Sequence, residues 1–271
     1  MQECCLIIFL PPIEPFQLSP LTLNMLANLS LVEILLVSFA AFVLGLSKSG
    51  IKGISIIIIA LMVFVFEAKA STGILLPMLI VGDIFAVIYY NRHAQWKYLF
   101  RLMPFMMAGV IIGSLAGDNM PEYLFRKSMA VVIFISVVFM FWWDQRKSKT
   151  VPKHISFAGV MGLTAGFTTM VGNLAGSFAN IFSLAIRLPK DAFIGTTAWL
   201  FLIINLFKVP FHVFSWGTID CQSLQVSLVF IPAILLGLFF GIRILKRVND
   251  KLFRKFILLM TGIGAVLIYF T

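Results

Sequence analysis

The chain has 271 residues, 61% of them hydrophobic and 12% charged, with a mean hydropathy of +1.03 and a formal net charge of +10. Uncharged runs of membrane-span length recur from end to end, which excludes a soluble domain and describes an all-α, polytopic membrane protein; the alternation of a transmembrane barrel is absent. The positive balance would suggest nucleic acid in a soluble protein, but here most Lys and Arg lie in short loops between apolar runs, where they report topology.

Residues 1–30 read as a leader or surface segment. The stretch carries Pro11, Pro12 and Pro15 and has no basic n-region or small-residue cleavage site, so it does not read as a signal peptide. Cys4, Cys5 and Cys221 offer no disulfide framework and no metal-type spacing. Ten apolar segments follow, roughly 31–47, 53–66, 71–90, 102–117, 128–143, 155–168, 173–186, 192–210, 221–242 and 256–271. From Ile34 to Phe66 the only charges are Lys48 and Lys52, inside GLSKSGIKG. Ile155–Ile186 is likewise uncharged, and its 32 residues would make a helix of about 48 Å against a hydrocarbon core of about 30 Å. Its centre, GFTTMVGNLAGSFAN, must therefore break or turn. Non-helical backbone at that depth survives only inside protein or beside a watery cavity.

The two over-long runs open two repeats, 31–150 and 151–271. With an offset of 122, Gly50 falls on Gly172, Gly73 on Gly195 and Asp83 on Asn205. With an offset of 128, Pro104–Gly113 falls on Pro232–Gly241, and the LFRK at Leu124–Lys127 on the LFRK at Leu252–Lys255. If every segment crosses, loops on one side hold 17 Lys and Arg and the other positions hold 4. This bias favours ten crossings with both termini outside. Five segments per repeat is an odd number, so the halves would be inverted, each opened by broken or short helices, which is a secondary-transporter pattern with the site at the breaks.

A break supplies free N–H groups and the positive end of a half-helix, both suited to an anion. Ser47, Thr168, Thr169 and Asn173 add hydrogen-bond donors there, and Lys48 and Lys52 add charge. The bland reading of the same residues is glycine for helix packing and hydroxyls bonded to their own backbone. Asp83 and Asn205 form a second polar layer. A carboxylate at membrane centre costs about 2.5–3.5 kcal/mol, so Asp83 is either a proton or cation coupling site or the partner of a lysine across the bundle. Lys208 either joins that layer or snorkels to the interface. His93, His154 and His212 are expected as solvated loop residues, and Trp96, Trp142, Trp143 and Trp216 as an aromatic belt. No nucleophile elbow, phosphate loop, HExxH or paired-Cys motif occurs. No enzyme, cofactor or metal site is expected.

In this order and spacing, GLSKSGIKG, KASTGILLP, DIFAVIYY and RHAQW resemble the first half of the sulfite exporter TauE/SafE family (the toluene-sulfonate uptake permease family). TTMVGNLAG, RLPKDAFIGTTAW and NLFKVP resemble its second half. The resemblance runs from about Phe42 to about Tyr269. It implies a carrier in a bacterial inner membrane for small, often sulfur-containing anions such as sulfite or organosulfonates, with Gly45–Gly53 and Thr168–Gly176 as the family's glycine-rich motifs. The partners are then a small anion and the lipid bilayer, with no nucleic acid, and a homo-oligomer is open. Two rival readings use the same residues: a channel-like anion pore, and a non-transporting membrane scaffold subunit.

Overall fold

The computed structural model describes residues 29–51, 54–90, 93–144, 155–174, 176, 178–179, 182–183 and 188–246. The described residues are all-helical, without strands: α1 Leu31–Lys48, α2 Ser55–Val65, α3 Ala68–Tyr90, α4 Trp96–Gly117, α5 Glu122–Asp144, α6 Ile155–Gly172, α7 Lys190–Pro210, α8 Cys221–Val229 and α9 Ile231–Lys246. Helices α1, α3, α4 and α7 are long and apolar enough to cross a membrane, and α8 with α9, bent by 44° at Phe230, makes a fifth span if taken as one. Segment 221–242 is thus two helices and not one. Segment 173–186 is described only in part, and 256–271 lies outside the described residues.

Polar residues fix the helix starts. Ser30 and Glu33 close a capping box at α1, and Asp220 with Ser223 does the same at α8. Glu122 accepts from Ala68 N at 2.6 Å and Lys69 N at 3.2 Å, so the start of α3 is capped from α5. Cys221 is disulfide-bonded, which corrects the reading of the cysteines as unpaired.

Both glycine-rich breaks end a helix in a left-handed residue. Gly50 has φ 121°, with Ile51 N donating to Leu46 O, and Asn173 has φ 55°, with its N–H donating to Thr169 O. Glycine and asparagine are the residues that tolerate this conformation at low cost. After the first break the chain must return. Contacts along α1 and α3 advance together, since Lys48 meets Asp83 and Tyr90 Oη donates to Ser49 O, so the two helices run parallel. The return falls to α2, whose 11 residues span about 16 Å. That is half of a hydrocarbon core of about 30 Å.

The most extensive pairings are α4 with α6 and α9 with α1. Both are glycine-mediated backbone approaches. A Cβ on Gly109 of α4 would collide with Leu163 O, and one on Gly166 of α6 with Met106 O. A Cβ on Gly237 of α9 would collide with Phe42 O, and one on Gly45 of α1 with Ile234 O. Gly109–Gly113, Gly237–Gly241 and Gly162–Gly166 each have the GxxxG spacing that lets helices touch along their backbones.

Candidate functional site

The candidate residues lie between the two breaks, which sit toward opposite ends of the bundle. The first is near Tyr90, at the C-terminal end of α3, through Tyr90 Oη to Ser49 O at 3.1 Å. The second is near the start of α3, where Asn173 Nδ2 donates to Thr72 O at 3.4 Å. Between them is a cavity enclosing about 560 Å³ of non-atom space, its open mouth included. Ser47, Lys48, Ser55, Thr169, Asn173 and Asn205 form its polar lining, and Leu44, Ile58, Ile59, Leu75, Leu79 and Phe201 its apolar lining.

Two polar clusters frame this space. In the first, Lys48 Nζ donates to Asp83 Oδ1 at 2.6 Å, Asn205 Nδ2 donates to Asp83 Oδ2 at 2.8 Å, and the Lys48 ammonium lies 5.4 Å from the Phe201 ring centroid. Of the two readings of Asp83, the lysine partner is present. A buried ion pair of this kind needs its remaining hydrogen-bonding capacity met, and Asn205 meets part of it. In the second cluster Lys208 Nζ donates to Asn173 Oδ1 at 2.5 Å and contacts Thr169 Oγ1 at 3.4 Å. Asn205 and Lys208 are three residues apart on α7, one turn of one face, so the clusters stack along the helix axis.

The sequence-derived candidates separate as follows. Ser47, Lys48, Thr169, Asn173 and Asn205 line the cavity. Asp83 lies behind Lys48 and is fully buried. Lys208 does not snorkel: it too is fully buried, behind Thr169 and Asn173. Thr168 turns away, its hydroxyl donating to Ala165 O at 3.2 Å, because adjacent helical residues point about 100° apart. Lys52 lies outside the described residues.

His212 was expected in solvent and is instead fully buried. It sits in a π-helical turn, Phe211–Ser215, that continues α7 past Pro210. Its Nδ1 is 2.8 Å from Thr218 Oγ1, its ring stacks edge-on against Trp216 at 5.0 Å, and its Nε2 has no hydrogen-bond partner. Trp216 is likewise buried, with Nε1 donating to Ser114 O at 3.1 Å, and so is not a belt residue. A lone His beside a Pro and a Gly carries no sequence signal for a π turn, so this burial was not legible. Among the described residues no group of three or more His, Cys, Asp or Glu gathers as a metal site would require.

A family model described as Sulfite exporter TauE/SafE matches residues 34–268 of this chain. No curated protein and no solved structure matches it.

Proposed function

The chain belongs to the sulfite exporter TauE/SafE family of membrane transporters, and from that membership we propose that it is a secondary carrier of a small, sulfur-containing anion such as sulfite or an organosulfonate, bound in the cavity between the two breaks. The observation that carries this reading is the joining of both glycine-rich motifs in one cavity. Ser47 and Lys48 come from the first, Thr169 and Asn173 from the second, and all four line the same space. Lysine and hydroxyl groups in an otherwise apolar wall suit a small anion, and a buried polar cluster in a membrane protein is a functional site by default.

In this reading the chain is two inverted repeats, 31–150 and 151–271, and access alternates by rocking one half against the other. The glycine contacts support the symmetry. Gly45 with Ile234 matches Gly166 with Met106, and Gly237 with Phe42 matches Gly109 with Leu163, as a two-fold relation requires. Orientation follows from charge. The Tyr90 end carries the basic loops and is assigned to the cytoplasm of a bacterial inner membrane. The opposite end holds the disulfide-bonded Cys221, and disulfides persist on the oxidising side.

Uptake of labelled sulfite into proteoliposomes, competed by a sulfonate panel, tests this. Saturable flux that falls at least tenfold in Thr169→Val is expected. Flux that rises linearly with concentration would favour a pore, and no flux of any sulfur anion in folded protein would favour a scaffold.

A further inference from the structure

Among the described residues the buried lysines and carboxylates are Lys48, Lys208 and Asp83. Asp83 forms its salt bridge with Lys48. Among the described residues no salt bridge reaches Lys208; Asn173 and Thr169, both neutral, hold its Nζ. With both lysines protonated, these three groups carry one positive charge in excess, on Lys208, behind Thr169 and Asn173 at the second break.

We propose that this charge sets the substrate: the cavity takes a singly charged oxyanion, whose counter-charge is Lys208. The proposal rests on the carrier reading above and deepens it. When no anion is bound, Asn173 Oδ1 occupies the ammonium. On binding, an anion oxygen replaces that amide oxygen, while Thr169, whose oxygen already faces Lys208, directs its hydroxyl hydrogen at the anion. Ser47 and Ser55, 3.5 Å apart on the opposite wall, offer further hydroxyl donors. A dianion is excluded by its own solvation. The cost of burying a charge rises with its square, so a second charge multiplies the penalty about fourfold, and among the described residues the site adds no second uncompensated cation to meet it. Lys48 does not serve, because Asp83 already neutralises it.

The test compares methanesulfonate, a monoanion, with sulfate, a dianion of similar size, as substrates of the full chain in proteoliposomes. Wild type is expected to carry methanesulfonate at least tenfold more efficiently than sulfate. Lys208→Gln should lower methanesulfonate uptake more than tenfold. Asp83→Asn, which frees the Lys48 charge, should raise sulfate uptake relative to methanesulfonate. Lys48→Gln/Asp83→Asn removes one charge of each sign. Whatever its remaining rate of methanesulfonate uptake, it should still exclude sulfate. Equal transport of both anions by wild type overturns the charge rule, as does undiminished uptake by folded Lys208→Gln. If Lys208→Gln or Asp83→Asn does not fold, wild-type selectivity and the charge-balanced double variant decide. Transport of sulfate alone sinks the charge rule and leaves the carrier standing, whereas flux of no anion, sulfite included, sinks both.

Discussion

Asn173 uses each end of its side chain: the amide oxygen accepts from Lys208 Nζ and the amide nitrogen donates to Thr72 O. It can do so because its backbone turns left-handed at φ 55°, a conformation Asp also tolerates. Asn173→Asp should therefore fold with the same backbone and set a permanent carboxylate against Lys208. The expected result is a folded protein with anion uptake reduced more than tenfold; retained uptake would remove Lys208 from the binding site. The sequence revealed the residue types here and not their directions. Thr168 and Thr169 are equivalent as letters, and only helical rotation separates the one at the cavity from the one bonded to Ala165 O. Lys208 stands two residues before a proline, which reads as a segment end; the π turn carries the helix on and keeps it buried.

At the scale of helices, contact is governed by glycine. Gly45 and Gly166 leave no room for a methyl group, since a Cβ at either would meet a backbone carbonyl that cannot move aside. Gly45→Ala and Gly166→Ala should each destabilise by about 1–3 kcal/mol, the usual cost of overpacking, read as a fall in unfolding temperature in detergent. Gly159→Ala is the control. Its Cβ would sit 3.5 Å from the Phe105 ring, an ordinary contact, and a loss equal to that of Gly45→Ala would show that helix propensity and not close approach is at work. The start of α3 rests on one carboxylate, so Glu122→Ala should cost about 1–3 kcal/mol in the same assay by leaving the Ala68 and Lys69 amides unsatisfied. The apolar segments were legible from charge spacing. The bend at Phe230 was not, because Leu228–Leu236 is apolar on both sides of it and offers no punctuation except Pro232.

For the whole molecule, the parallel course of α1 and α3 makes a prediction about sides. Asn119 lies by the end that holds Asp118 and Ser215, and Lys246 ends α9 at the other. In a background without other reactive thiols, Asn119→Cys should react with a membrane-impermeant maleimide on intact cells, and Lys246→Cys only after permeabilisation. The reverse pattern would invert the orientation drawn from the basic loops. The membrane-spanning helical class was readable because hydropathy and span lengths act along the chain. The cavity was less so, since which wall a residue joins depends on helices distant in sequence.

Asn205, matched to Asp83 at an offset of 122, donates its Nδ2 hydrogen directly to Asp83 Oδ2. If the halves arose by duplication of one gene, a residue beside the symmetry axis faces its own copy. Two copies of an acid there would repel, and two copies of an amide would leave Lys48 without its counter-ion. On that origin, the contact is a place where the two halves could not stay identical, and the Lys48–Asp83 ion pair is a product of their divergence.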